Sequence, residues 1–238
     1  MKRLVLLAVL LIAGCGAPGN VAAPSPAAPQ VVTFGDSVPA GTACGCTPFP
    51  DLYAKLLGGT SDNLAKSGFT SLDVRQQLAT PVAEAAVRTA TVVLVMAGAN
   101  DLAAAFDTGG GAYAGPTEQV RQNVTAVVAD VHALQPAAAV LIFGYWNVVE
   151  DGDVGHRDYG DDGVAEAAAA TKDCNDALRL AAAGAVYVDT TTAVKGDSGE
   201  EDPTGLLAAD GDHPNAAGHA AIAAAAYAAL PHGSRSSH

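Results

Sequence analysis

Short apolar runs alternate with longer segments of helical period along most of the chain. Gln30 to Phe34 is apolar and β-branched and predicts a first strand. Phe49 to Leu57 places apolar residues at 49, 52, 53, 56 and 57, the spacing of one helix face. A short second strand is expected at 62 to 65, with helical segments following as far as Arg88. Thr91 to Met96 reads as a buried strand, and Thr117 to Leu134 repeats Val120, Val124, Val127, Val128, Val131 and Leu134 at helical spacing. Val140 to Phe143 predicts a fourth strand, Val164 to Ala183 an alanine-rich helix and Val186 to Val188 a fifth strand. Asn215 to Leu230 is the last helix, which Pro231 stops. Between the fourth strand and the alanine-rich helix, Gly144 to Gly163 reads as a long polar loop; Tyr145, Trp146, Val148 and Val149 in it read as an apolar lip or as core. Strands that alternate with helices pair in parallel. The expected fold is therefore α/β: a doubly wound, three-layer α/β/α sandwich on a five-stranded parallel sheet, with no internal repeat.

The two ends of the chain break this alternation. Lys2 and Arg3 precede an apolar run, Leu4 to Ile12, that is too short to span a bilayer. Ile12-Ala13-Gly14-Cys15 then has the form of a bacterial lipobox, the alternative being an ordinary secretory peptide cut after a small residue. The expected organisation is a lipoprotein signal peptide at 1–14 and a Pro/Ala-rich tether at 15–29. A single domain follows at 30–231, and a disordered tail at 232–238. A diacylated Cys15 would anchor the protein stably to the outer face of the cell membrane; the secretory alternative would release it.

Composition narrows the partners. The 238 residues suffice for one domain with a sizeable core, and 50% hydrophobic against 16% charged residues suits a compact globular chain. The formal charge of −13 deepens by two when Lys2 and Arg3 leave with the signal peptide. Such an acidic surface disfavours nucleic acid and anionic lipid headgroups, and points to a neutral, zwitterionic or cationic substrate, or simply to solubility. A monomer is expected. Export permits disulfides. With Cys15 set aside, Cys44, Cys46 and Cys174 remain, an odd number. Cys44 and Cys46 can close a small ring, or one of them can reach Cys174. They lack a full ligand set, so no metal is expected.

The residues that carry chemistry stand at strand ends. Ser37 follows the first strand in Phe34-Gly35-Asp36-Ser37, placing a hydroxyl at the carboxyl edge of the sheet. His213 lies in Asp210-Gly211-Asp212-His213-Pro214, just before the last helix. Asp210, three residues earlier, can be turned against the imidazole to hold its tautomer. Asp212 is the competing orienter, but adjacent side chains are expected to diverge. Asn100 follows the third strand and can donate its amide to an oxyanion, which the backbone amides of Ser37 and Gly68 can complete. His132, His156, His219, His232 and His238 read as solvated side chains. Each of these words alone also reads as a turn or a helix cap.

Taken in order, the words resemble the SGNH, or GDSL, hydrolase family. The first block is Gly35-Asp36-Ser37-Val38 and the second Asn63-Leu64-Ala65-Lys66-Ser67-Gly68. Gly98-Ala99-Asn100-Asp101 is the third and Asp210-Gly211-Asp212-His213-Pro214-Asn215 the last. The resemblance implies a flavodoxin-like sandwich, hydrolysis of an ester or thioester, Ser37 as nucleophile, His213 and Asp210 as its base and orienter, Gly68 as an oxyanion glycine, and no cofactor. The expected function is a serine carboxylesterase of the cell envelope. The alternatives are an O-acetylesterase or acyltransferase of envelope glycan, or a non-catalytic envelope-binding lipoprotein.

Overall fold

The computed structural model describes residues 28–106 and 113–230. Cys15, the signal peptide, most of the tether and the tail at 232–238 lie outside the described residues. Five strands form one parallel sheet: β1 (Gln30–Gly35), β2 (Thr60–Asn63), β3 (Val92–Met96), β4 (Ala139–Phe143) and β5 (Val186–Val188). Their order is β2-β1-β3-β4-β5, that of the flavodoxin-like sandwich the resemblance implies. β1, β3 and β4 are central and almost wholly buried, which is why they read as continuous apolar runs. The edges are short, and β2 has the polar sequence Thr-Ser-Asp-Asn, which blunts pairing with other chains. It begins two residues before the expected position, because no apolar run marks it.

Helices fill two layers. α2 (Phe49–Leu57), α8 (Thr190–Lys195) and α9 (Ala216–Ala229) pack together. α3 (Ser71–Leu78), α4 (Pro81–Thr89), α5 (Ala99–Phe106), α6 (Ala114–Leu134) and α7 (Gly152–Ala181) form the other layer. A four-residue turn of helix, α1 (Ser37–Ala40), follows β1 directly. The starts of these helices are written in the sequence. Thr70 and Asp73 form a reciprocal capping box on α3, Thr80 caps α4 ahead of Pro81, and Asn215 accepts from Ala217 and Gly218 at the start of α9. Fully buried Phe34, Leu94, Leu141 and Ile142 pack between the layers, each burial contributing about 1.5–3 kcal/mol. Among the described residues no helix is long and apolar enough to cross a membrane.

Three expectations are corrected. The long polar loop after β4 is short: Asp151 caps a helix that starts at Gly152 and kinks at Gly160, where φ is 63°. The half before the kink lacks an apolar stripe, so periodicity missed it. Tyr145, Trp146, Val148 and Val149 are all buried, so they are core first. His219 is also buried rather than solvated. It lies on α9 with Ile222, Ala223 and Ala226, and its Nδ1 accepts the amide of Phe49 at 3.2 Å. Of the two cysteine pairings, the structure has Cys44–Cys46, leaving Cys174 free and buried on α7.

Burial pushes the His219 pKa down from 6.5 to about 4, with the nearby His213 adding to the shift. Between those values the unfolded chain binds a proton that the folded chain refuses, so stability falls as pH drops from about 6.5 to about 4. The full effect is on the order of 3 kcal/mol. His219→Gln, which keeps an acceptor for Phe49 but does not titrate, should flatten this part of the profile. Thermal unfolding of both proteins from pH 4 to 7 measures the difference; parallel profiles would show that His219 does not titrate in this range.

Candidate active site

The chain runs from β1 outward to β2 and then returns to place β3 on the other side of β1. This reversal opens a crevice at the carboxyl ends of β1 and β3. Ser37 follows β1 and Asn100 follows β3, so both stand at its mouth. Gly35 makes the close approach possible: a Cβ there would lie 2.3 Å from the carbonyl oxygen of Met96, at the end of β3. The next amide, that of Asp36, donates to the same carbonyl at 3.1 Å. Asp36 then caps α1 by accepting from the Val38 amide at 3.1 Å. Ser37 is thus the first residue of a helical turn rather than part of a loop, where backbone amides lack helical acceptors.

The segment after β2 is tied to the same point. The Lys66 amide donates to the Gly35 carbonyl at 3.0 Å. Gly68 has φ 80°, a left-handed conformation that side chains disfavour, and it is exposed. Asn100 donates one amide hydrogen to the Phe69 carbonyl at 2.9 Å. An amide carries two such donors, so a second remains for a ligand. Asp101 accepts from the Ser71 amide at 2.8 Å and its hydroxyl at 2.7 Å, and Asn123 donates to that hydroxyl at 3.0 Å. The start of α3 is thereby locked to the start of α5, which fixes Gly68 and Asn100 relative to one another. Burial raises the Asp101 pKa, against the opposing pull of the Ser71 bonds.

His213 is held from one side by Asp210. Its Nδ1 lies 2.8 Å from one Asp210 oxygen, and the amides of Asp212 and His213 donate to the other, both at 3.1 Å. Burial alone would raise the Asp210 pKa, but the bonds from the His213 amide and ring and the Asp212 amide outweigh it and hold the carboxyl below its usual value. The loop is rigid: the Ala208 amide donates to the His213 carbonyl at 2.7 Å, and the Asp151 amide to the Gly211 carbonyl at 2.8 Å. The His213 Nε2 is buried and has no hydrogen-bond partner.

Asp212 does not diverge from the ring as expected. One of its carboxylate oxygens lies 3.7 Å from the His213 Nε2. The reason is local: Asp210 folds back to accept two successive amides, which wraps the backbone around the imidazole and brings residue 212 to its far nitrogen. Burial raises the Asp212 pKa; His213 opposes this, while Glu150 and Asp210 add to it.

A cavity of about 170 Å³ opens beside Ser37, its walls including Asp36, Asn100, Tyr145, Glu150 and Asp212. The Tyr145 hydroxyl donates to Asp36. Asp36 is 1% exposed, and burial raises its pKa from 3.8 to about 7 despite the bonds from Tyr145 and Val38. Sequence reasoning gave Asp36 and Glu150 no role. The position of Tyr145 at the carboxyl end of β4 was the available signal, since that edge gathers functional groups.

The family described as GDSL-like Lipase/Acylhydrolase matches residues 33–221. The chain belongs to that family. It is accordingly a serine ester hydrolase with the α/β fold of its relatives. Solved structures agree in fold at low identity. A lipase from a goat rumen metagenome superposes with a TM-score of 0.65 at 17% identity, covering 84% of this chain and 97% of that one. A phospholipase A1 from Streptomyces albidoflavus gives 0.64 at 20%, covering 86% and 100%. An acetylxylan esterase from Geobacillus stearothermophilus gives 0.63 at 18%, covering 86% and 95%. Among curated proteins, none matches the chain in sequence.

The two carboxylates around His213 make separable predictions. Asp210→Asn removes the charge on Nδ1 and permits the wrong tautomer, so kcat/KM for a soluble ester should fall on the order of 10² or more. Asp212→Asn should cost less than about tenfold, because 3.7 Å lies beyond hydrogen-bond distance. Parallel rate measurements on both variants decide it; the reverse order would make Asp212 the orienter.

Proposed function

We propose that this protein is a short-acyl carboxylesterase of the cell envelope, with Ser37 as nucleophile, His213 as general base and Asp210 as its orienter. The observation that carries the reading is the state of His213: Nδ1 is engaged by Asp210 at 2.8 Å, while Nε2 is shielded from solvent and unpaired. It lies near Asp212, which shares the cavity wall with Ser37. In the neutral imidazole with its proton on Nδ1, facing Asp210, Nε2 is the nitrogen left to take a proton.

As the Ser37 Oγ attacks the acyl carbon, its proton passes to the His213 Nε2. The tetrahedral oxyanion is met by the amides of Ser37 and Gly68 and by the Asn100 Nδ2, each donor contributing on the order of 3 kcal/mol. The intermediate collapses, and the leaving alcohol takes the proton from His213. Water then attacks the acyl-enzyme, giving its proton to the same nitrogen, and the carboxylic acid leaves as Ser37 is restored. Asp210 stays ionised throughout and stabilises the imidazolium.

The cavity favours a short acyl group. It is small, and its walls carry Glu150 and Asp212, which a long alkyl chain would desolvate at a cost. The same features suit an acetyl ester on a sugar, and the likeness in fold to an acetylxylan esterase supports keeping glycan deacetylation as the second reading. We place the protein outside the cell on the strength of Lys2, Arg3, the apolar run and Ile12-Ala13-Gly14-Cys15.

Two experiments test these readings. Ser37→Ala should abolish hydrolysis and fluorophosphonate labelling while leaving thermal stability nearly unchanged; on wild type, p-nitrophenyl acetate should be turned over far faster than the palmitate. Retention of more than a few per cent of activity would remove Ser37 from its role, and a preference for palmitate would remove the short-acyl assignment. Separately, Cys15→Ala should move the protein from the membrane fraction to the medium or block its maturation. An unmodified Cys15 in soluble full-length protein, seen by mass spectrometry, would refute the lipid anchor.

A further inference from the structure

A second chemical centre lies beside the nucleophile. Cys44 and Cys46 are joined by a disulfide across a single residue, and both are half-buried, so a small reagent can reach them. A ring nitrogen of the fully buried His219 and the two sulfurs lie within 4.8 Å of one another. The Phe49 amide donates to the His219 Nδ1 at 3.2 Å, which makes Nδ1 the acceptor and leaves the proton of the neutral ring on Nε2. Burial keeps the ring neutral, with a pKa near about 4. The Nε2–H is itself buried and makes no hydrogen bond to another protein group.

The backbone supplies an independent observation. Ala43, the residue before Cys44, has φ 59° and is the one non-glycine residue at positive φ among the described residues. Gly41 and Gly45 on either side adopt the same region without strain, at 78° and 58°. A side chain there is strained, and it persists only where the surrounding structure enforces it. The Cys44 amide donates to the Gly41 carbonyl at 3.4 Å across Ala43, and the disulfide ring begins at the next residue.

We propose that Cys44–Cys46 is a thiol–disulfide exchange site, opened by an external dithiol, with the buried His219 ring, one nitrogen of which lies within 4.8 Å of both sulfurs, beside the released thiolate. A thiolate of the dithiol attacks one sulfur; the Cys44–Cys46 bond breaks, and the other cysteine leaves as a thiolate. The second sulfur of the reagent then displaces the mixed disulfide. The reagent departs as a cyclic disulfide, having given two electrons, and its two protons end on Cys44 and Cys46. Metal binding fits the site less well. A metal needs a lone pair on the ring, but Nδ1 already accepts from Phe49 and Nε2 carries the proton.

Exchange here reaches the active site through the backbone. The Thr42 amide donates to the Ser37 carbonyl at 3.0 Å, and the same segment runs on to Phe49, which grips α9, the helix that follows His213. Opening the ring lets Ala43 leave the left-handed region and loosens the Thr42 anchor. This consequence rests on Ser37 as nucleophile; the exchange itself does not.

The full-length protein is equilibrated with mixtures of reduced and oxidised dithiothreitol, quenched with acid, alkylated and peptide-mapped. Cys44 and Cys46 should become alkylated together at one midpoint, while the buried Cys174 stays unmodified. Ala43→Gly, which relieves strain only in the closed ring, should shift the equilibrium about tenfold toward the disulfide. Ester turnover by wild type should fall about fivefold on reduction, the effect of losing one backbone hydrogen bond. Turnover by the Cys44→Ser/Cys46→Ser variant should ignore dithiol. The proposal is overturned if the disulfide survives dithiothreitol that reduces a Cys-Gly-Cys peptide, or if Ala43→Gly leaves the equilibrium in place. Uptake of one zinc per reduced chain would replace it with a metal site, and unchanged turnover on reduction would remove the coupling.

Discussion

The site depends on how closely the end of β1 meets the end of β3. Gly35 lies where any side chain would strike the Met96 carbonyl, and that carbonyl is already bound by the Asp36 amide. The strand can neither slide nor twist away without losing this contact. Asp36 is therefore fixed, and through its cap on Val38 so is the turn that begins with Ser37. From the same place the Gly35 carbonyl holds Lys66, and with it the segment leading to Gly68. Two of the three proposed oxyanion donors are thus positioned by one backbone junction, and the third, Asn100, follows the strand that forms its other half.

The carboxyl groups around this junction are pushed in opposite directions, and the division suits acyl transfer. Asp210 is surrounded by donors and stays ionised beside the imidazole it orients. Asp36 is buried next to Ser37, the proposed nucleophile, and titrates only near about 7, so much of it is neutral at neutral pH. A full negative charge there would oppose the oxyanion forming on the attacked carbonyl; a carboxyl that shares a proton with Tyr145 opposes it less. Asp212, near the Nε2, lies between these cases, with burial favouring its neutral form and His213 its charged one. Environment, rather than residue type, separates the three.

Much of this was legible in the chain. The central strands announced themselves as buried apolar runs, and the first three blocks fell at strand ends because a parallel sheet collects its loops on one edge, while the last fell in the loop before α9. Asp210 and His213 could be paired because only a turn separates them. What stayed hidden had no local signature. The start of α7 is rich in glycine and charge, and its first turn is held from outside, by the Lys195–Asp151 pair at 2.8 Å and the Gly211 carbonyl. α9 is nearly all small and apolar, so its sequence gives no contrast between faces and no sign that His219 points inward. The bond from Phe49 to His219 spans 170 positions and that from Tyr145 to Asp36 spans 109, distances over which spacing carries no information. Asp212 was misjudged for the opposite reason: the general tendency of neighbours to diverge was overridden by an Asx turn one residue away.

Those long-range bonds also explain why the two halves of the proposed machinery stay in register. Ser37 and His213 come from opposite ends of the domain, and a parallel sheet gives them no direct strand contact, since β1 and β5 are not neighbours. Their relative position must come from the helices that follow each of them. α2 packs along α9, and the Phe49 amide meets a ring nitrogen of His219 where α2 begins. This hydrogen bond is directional where the alanine packing around it is not, because methyl groups slide past one another at little cost. A side chain that is fully buried, neutral and committed to an amide from the nucleophile's own segment can set the sliding position of α9 relative to α2. That accounts for a buried histidine in a helix built mostly from alanine, and it puts the most sensitive adjustment of the Ser37–His213 separation at the loop through Cys44 and Cys46.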